Sequence, residues 1–354
     1  MARRRSAAWP HPWVVACWSL SLAGVVRGAE RGEFFLETVV AGLATPWGVA
    51  VNPRTGDVYV SEATAGRVRR INPDHPQRAG NVITGFDRVD PTESFPFGAA
   101  LELSFLNHRT LLVAGASRQG KWVALSAYDI PDAGLPVAAD KASTWPALEH
   151  ADAEEDVAAT RRRWCRLTVV NDRVFLASAA SHVAGRIDRV IWRQGKPGAV
   201  QSWRTGARLE TIGPTAVGIN NRGYLVTTWL RNAADGREGF LRFHAPADGR
   251  GVLDLPVDLP SMVDLAYHQR EGVDRLYVLD LGRNRAAGGG LYRIDASRLS
   301  GEGPAVRAVQ IVRLTRPTAM AFAADGRLFI TTAGGPDASG AARQGKLLVV
   351  RGDL

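Results

Sequence analysis

Short runs in which apolar residues alternate with other residues recur along the whole chain, each bounded by turn chemistry, and they predict β-strands with no long helix between them. One unit is repeated six times: a strand, a tight turn, a second strand, a variable loop, then glycine and a third strand. PWGVAV (46–51) leads through NPRTGD to VYVSE (58–62), with Gly66 before RVRRI. FGAALELSF (97–105) turns at LNHR into TLLVAG (110–115), with Gly120 following. RLTVV (166–170) turns into VFLAS (174–178) with Gly185, and TAVGI (215–219) turns at NNRG into YLVTTW with Gly239. MVDLAYH turns into LYVLDL (276–281) with Gly290, and TAMAFA (318–323) turns at ADGR into LFITTA (328–333) with Gly345. First strands follow one another at about 50 residues, a period that points to blades or a solenoid.

Six short meanders leave many strand edges, and radial closure hides them. The pattern therefore predicts an all-β, six-bladed β-propeller; a two-sheet sandwich of the same strands is the competing arrangement. FFLETVV (34–40) precedes the first complete unit, and the last unit ends at LLVVRGDL without a fourth strand. The N-terminal segment is thus expected to supply the outer strand of the sixth blade. An insert at about 140–163 lengthens the second-to-third spacing by roughly 20 residues relative to that period. Its acidic start (Glu149, Asp152, Glu154, Glu155, Asp156) and basic end (Arg161, Arg162, Arg163) suit a short helix between blades 2 and 3.

Residues 1–28 read as a secretory signal: Arg3, Arg4 and Arg5, an apolar stretch from Val14 to Val26, and small residues near Gly28. The expectation is an exported protein, periplasmic or extracellular, with residues 29–354 as one propeller domain and no span in the mature chain. The formal net charge of +9 includes Arg3, Arg4, Arg5 and Arg27; without those four, the 44 bases and 35 acids leave an excess of five. That permits attraction to anionic surfaces but gives no nucleic-acid signature. Of the two cysteines only Cys165 lies beyond the signal, so the mature chain has no internal disulfide.

In a propeller the inner strands begin at one mouth of the axial channel, and the loops from second to third strand return to it. Those positions collect the candidates. The loops bring Arg118, His182, Arg231, Arg283, Arg285 and Arg343; strand starts and ends bring Trp47, Arg166, Asp264, Arg316 and Glu62. Arginines outnumber acids there and favour an anionic partner. The ligand-binding candidates are Arg118, Arg231, Arg283, Arg285, Arg343 and Trp47; the catalytic candidates are Asp264, Glu62, His182 and Arg316. The G-x-x-x-x-G-K of Gly115–Lys121 joins two strands and is followed by Trp122, so it lacks the context of a phosphate loop.

TPWGVAVNPRTGDVYVSEATAGRVRRIN (45–72) resembles an NHL-type propeller repeat and the opening blade of soluble glucose/sorbosone dehydrogenases. RPTAMAFAADGRLFITTAGG (316–335) is similar to the final blades of that superfamily, which also includes gluconolactonase-like enzymes. The resemblance implies the propeller and leaves the activity open. Lactonases of this kind hold a divalent cation through a first-blade Glu, and the quinone-dependent dehydrogenases use an early His. Thr45-Pro46-Trp47-Gly48 and FPFGAALELSF carry neither. The expected function is a binding or interaction module for an anionic small molecule, glycan or protein, acting as a monomer. The alternative is a lactonase, lyase or sugar dehydrogenase with a rearranged site, and only then is a divalent cation or a quinone implied.

Overall fold

The computed structural model describes residues 34–88, 101–116, 123–131, 136–145, 163–171, 173–179, 186–193, 196–205, 211–231, 239–245, 248–282, 288–298, 304–334 and 344–354. The body is formed by Phe34–Gly352 and Leu354. The signal read at 1–28 lies outside the described residues.

The body is a six-bladed β-propeller. Its strands form six sheets in which neighbours in sequence pair antiparallel, and each sheet is one blade. The inner strands are Pro46–Val51, Glu102–Phe105, Arg163–Val170, Thr211–Ile219, Met262–Arg270 and Pro317–Phe322. The ring closes as the sequence predicts: Phe35–Ala44 pairs antiparallel with the last strand, Gln344–Arg351, in a register from Phe35 opposite Arg351 to Ala44 opposite Gln344. In blade 2, Ser143–Trp145 is the outer strand, while Val137–Ala138 crosses to add a parallel fifth strand to blade 1. Most of the insert, with the helix expected in it, lies outside the described residues.

The strand pattern explains why the blades stack. Successive side chains point to opposite sheet faces, and here both faces meet another blade. In VYVSE, Val58 and Val60 enter the core shared with blade 6, whereas Tyr59 enters the core shared with blade 2. Leu111 and Val113 face blade 1 while Leu112 and Ala114 face blade 3. Leu276 and Val278 face blade 4 while Tyr277 and Leu279 face blade 6. Each of the six seams has its own apolar cluster. Near-continuous apolar strands are therefore what this architecture requires. At the blade 1–2 seam Gly48 approaches so closely that a Cβ would stand 2.5 Å from the Leu101 carbonyl oxygen.

Polar contacts reinforce the seams nearest the axis. The Thr318 hydroxyl donates to the Pro46 carbonyl (3.0 Å), and that of Thr215 donates to the Met262 carbonyl (2.8 Å). Each also meets a threonine on the second strand of its own blade, Thr331 at 2.9 Å and Thr228 at 2.7 Å. Blades 6 and 1, and blades 4 and 5, are thus tied by the same device.

Candidate functional site

Five of the six inner strands carry a register shift near their first residues: between Pro46 and Val49, Trp164 and Arg166, Ile212 and Ala216, Met262 and Asp264, and Pro317 and Ala319. A bulge re-aims the side chains around it. Immediately after two of these shifts stand Arg166 of blade 3 and Asp264 of blade 5.

These two residues meet Glu102, the first residue of the blade 2 inner strand. Arg166 Nη1 donates to Glu102 Oε2 at 2.5 Å, and Arg166 Nε lies 3.1 Å from Asp264 Oδ1. Arg166 Nη2 donates to the Thr318 carbonyl of blade 6. Asp264 also accepts the backbone N–H groups of Leu265 (2.8 Å) and, across the seam, of Met320 (2.7 Å). One guanidinium thus joins blades 2, 3, 5 and 6. All three side chains are buried: Arg166 is 2% exposed, Glu102 4% and Asp264 6%.

Two carboxyl groups and one guanidinium cannot all be charged there without a net buried charge. Burial pushes Glu102 up to about 8; the nearby Asp264 charge adds to this and Arg166 opposes it. Burial also raises Asp264, against the pull of Arg166 and two backbone N–H groups. Asp264, with more N–H groups directed at it, is the better place for the negative charge, so Glu102 holds the proton at neutral pH. The cluster is then neutral overall.

The trio forms the inner limit of a cavity of about 390 Å³ that reaches the far ends of the inner strands, past Pro53, Phe105, Ile219 and Phe322. Its charged lining among the described residues is Glu102, Arg166 and Asp264. Tyr267 also lines it, and burial raises its hydroxyl above the ordinary tyrosine range, so it stays neutral. This cavity lies on the opposite side of the trio from the mouth where the sequence gathers its arginines. Of that mouth's second-to-third-strand loops, those of blades 2 to 6 fall wholly or mainly outside the described residues.

Of the predicted catalytic residues, Asp264 belongs to the trio. Arg166 stands at the channel-proximal strand start that the repeat assigns to it, whereas Glu102 carries no signal in the repeat pattern. Glu62 sits elsewhere: its carboxylate accepts the Ala44 N–H at 2.7 Å and Arg67 Nε at 2.5 Å, with Arg69 Nε at 3.9 Å. It fastens the turn that joins the closing strand to blade 1. Asp280 repeats this in blade 5, accepting the N–H groups of Ser261 (2.8 Å) and Gly282 (2.7 Å). Arg316 precedes the blade 6 inner strand with a left-handed backbone (φ 51°), and its carbonyl accepts the Ala333 N–H. Thr45 has the same φ of 51° in blade 1, where its carbonyl accepts the Ala63 N–H. Such φ values are uncommon for residues other than glycine, and here both mark the entry to an inner strand. Trp47 is buried at 6% exposure. His182, Arg118, Arg283, Arg285 and Arg343 lie outside the described residues, as does the side chain of Arg231.

The described residues do not fit a divalent-cation site. No three acidic, His or Cys side chains gather among them, and Asp264 is engaged with Arg166 and two backbone N–H groups. No described helix is long and apolar enough to cross a membrane.

No family model and no curated protein matches the chain. Solved structures do. A glucose dehydrogenase is 17% identical with a TM-score of 0.58, over 90% of this chain and 100% of that one. The soluble aldose sugar dehydrogenase of Escherichia coli, in its apo form, is 14% identical with a TM-score of 0.60, over 91% and 100%. A gluconolactonase from Xanthomonas campestris is 13% identical with a TM-score of 0.56, over 90% of each chain. The likeness is one of fold: the chain shares the six-bladed propeller of these enzymes.

Proposed function

We propose that this propeller is a binding module that takes a small, hydroxyl-bearing molecule into its axial cavity, against the floor made by Glu102, Arg166 and Asp264. The supporting observation is the floor itself. Burying charged groups is costly and is often no better for stability than an apolar replacement, and six apolar seams already hold this ring together. A cavity of about 390 Å³ is within the size range of small-molecule sites, and Glu102, Arg166 and Asp264 converge on it as its charged groups among the described residues. A protonated Glu102 offers a hydroxyl donor and Asp264 an acceptor, the two roles that a sugar or polyol hydroxyl needs.

Thermal denaturation with and without a panel of sugars, polyols and sugar acids tests this, because a ligand that binds the folded state raises its melting temperature with concentration. A shift is expected, and Ser104→Trp, at a cavity-lining position outside the apolar seam clusters, should abolish it while leaving the circular dichroism spectrum unchanged. Absence of a shift from every compound would end this reading.

A second reading is an enzyme that moves protons, with Glu102 as acid and Asp264 as base. It is favoured by the unlike positions of the two carboxyl groups, since groups poised to exchange protons are commonly displaced by burial and neighbours. The fold's occurrence in sugar dehydrogenases and a gluconolactonase agrees with it. Lactone hydrolysis and quinone-dependent sugar oxidation, assayed on wild type and Glu102→Gln, decide between the readings: turnover lost in the variant supports the enzyme. We also propose export, on the signal read at residues 1–28; N-terminal sequencing of protein recovered outside the cytoplasm should find those residues removed.

A further inference from the structure

From the charge balance of the axial floor we infer that the preferred ligand of the cavity carries a protonated amine, and that it enters by displacing the proton of Glu102. This rests on the binding reading proposed for the cavity and specifies the class of ligand.

The floor holds two carboxyl groups against one guanidinium, and that guanidinium is committed on three sides: Glu102, Asp264 and the Thr318 carbonyl. An anion placed in the cavity would meet two acids and an arginine already neutralised by one of them. A neutral hydroxyl would meet a neutral floor. An ammonium group would meet the one carboxyl that can still ionise.

The described neighbours supply no competing charge. From the inner strands of blades 1, 4 and 6 the cavity receives Val49–Val51, Val217–Ile219 and Met320–Phe322. None of these ionises, and Tyr267 of blade 5 stays neutral. In that surrounding the lost proton is replaced by another cation: R–NH₃⁺ and Glu102–COOH become R–NH₃⁺ paired with Glu102–COO⁻, and one H⁺ leaves to solvent. Charge and atoms balance without another reactant. Burial holds the Glu102 proton to about pH 8 in the empty site, so below that pH entry of the ligand is accompanied by proton release.

This reverses the sign of ligand expected from the arginine-rich loops.

Isothermal titration of wild-type protein with glucosamine, glucose and glucuronate, three pyranoses that differ in charge, tests the inference. At pH 6.5, where both the amine and Glu102 hold their protons, glucosamine should bind at least tenfold more tightly than glucose and more tightly still than glucuronate. Repeating the titration in two buffers of different ionisation enthalpy should show close to one proton released per glucosamine. Glu102→Gln, which keeps the shape of the protonated side chain, should remove both the release and the preference. Binding of glucose or glucuronate at equal or higher affinity, or binding of glucosamine without proton release, overturns the amine inference and leaves the cavity reading standing. Binding of none of the three overturns the amine inference as well; whether the cavity reading survives is then decided by the thermal panel.

Discussion

Glu62 and Glu102 are the same residue type, both buried and both bonded to an arginine at 2.5 Å, yet they sit in opposite situations. Glu62 has Arg67, the more distant Arg69 and a backbone N–H for a single carboxylate. Glu102 shares one arginine with a second acid that has two backbone N–H groups to itself. Where donors exceed acceptors a buried carboxylate is a fastening. Where acids exceed cations one of them keeps its proton and remains available for exchange. The difference lies in how many partners each fold position supplies, and the side chain's own chemistry does not decide it.

The contrast can be broken most forcefully at Arg166. Arg166→Ala leaves two acids buried without their cation and should cost about 3–5 kcal/mol, the usual penalty for removing one side of a buried ion pair. Urea denaturation at pH 7 reads this directly, and a loss below about 1 kcal/mol would mean that the trio is far wetter than its burial implies.

Next in size is the response to pH. The folded-state value for Glu102 is raised above its unfolded one, so its contribution is fully present below the unfolded value and is lost as pH rises toward and through about 8. Stability should fall across that interval with a slope of at most ~1.4 kcal/mol per pH unit from this group. Glu102→Gln should flatten the slope. An unchanged slope in the variant would assign the pH dependence to other groups.

A matched pair of amide variants sharpens the comparison further. Glu62→Gln loses a charged partner of Arg67 and should cost about 1.5–3 kcal/mol. Glu102→Gln at pH 7 replaces a group that is neutral when folded but ionised when unfolded, so it removes the cost of keeping that proton and should raise stability, by up to about 3 kcal/mol. Equal losses at the two positions would erase the distinction. Smallest is Thr318→Val, which removes the hydroxyl bridge from blade 6 to Pro46 and should cost about 1 kcal/mol by thermal or urea unfolding. The same change at Thr215 should match it, since that bridge repeats in blade 4.

The ring was legible in the sequence because its signals are periodic. Alternation within VYVSE and LYVLDL, glycine before each third strand and an unpaired FFLETVV at the front are all local signals, and sheet pairing follows from them. The axial floor was half legible. Asp264 and Arg166 could be placed because each opens an inner strand at the repeat's own position. Glu102 could not, because FGAALELSF reads as a strand starting several residues earlier, and ordinary alternation makes its one acid look like a solvent-facing position. Only the meeting of four blades at the axis, where Arg166 of blade 3 reaches its carboxyl group, reveals that residue as part of the floor. Glu62 misled for the complementary reason. Its place at a strand end near the channel is visible, but the N–H it caps belongs to Ala44, which reaches it through closure of the whole ring.

The most direct measurement is infrared difference spectroscopy of wild type against Glu102→Gln at pH 7, read at the carbonyl stretch of a protonated carboxyl group. A band present in the wild type, absent from the variant and fading as pH is taken above about 8 would place the exchangeable proton on Glu102. A difference spectrum that shows only ionised carboxylate at pH 7 would contradict it and remove the basis for proton exchange at the axis.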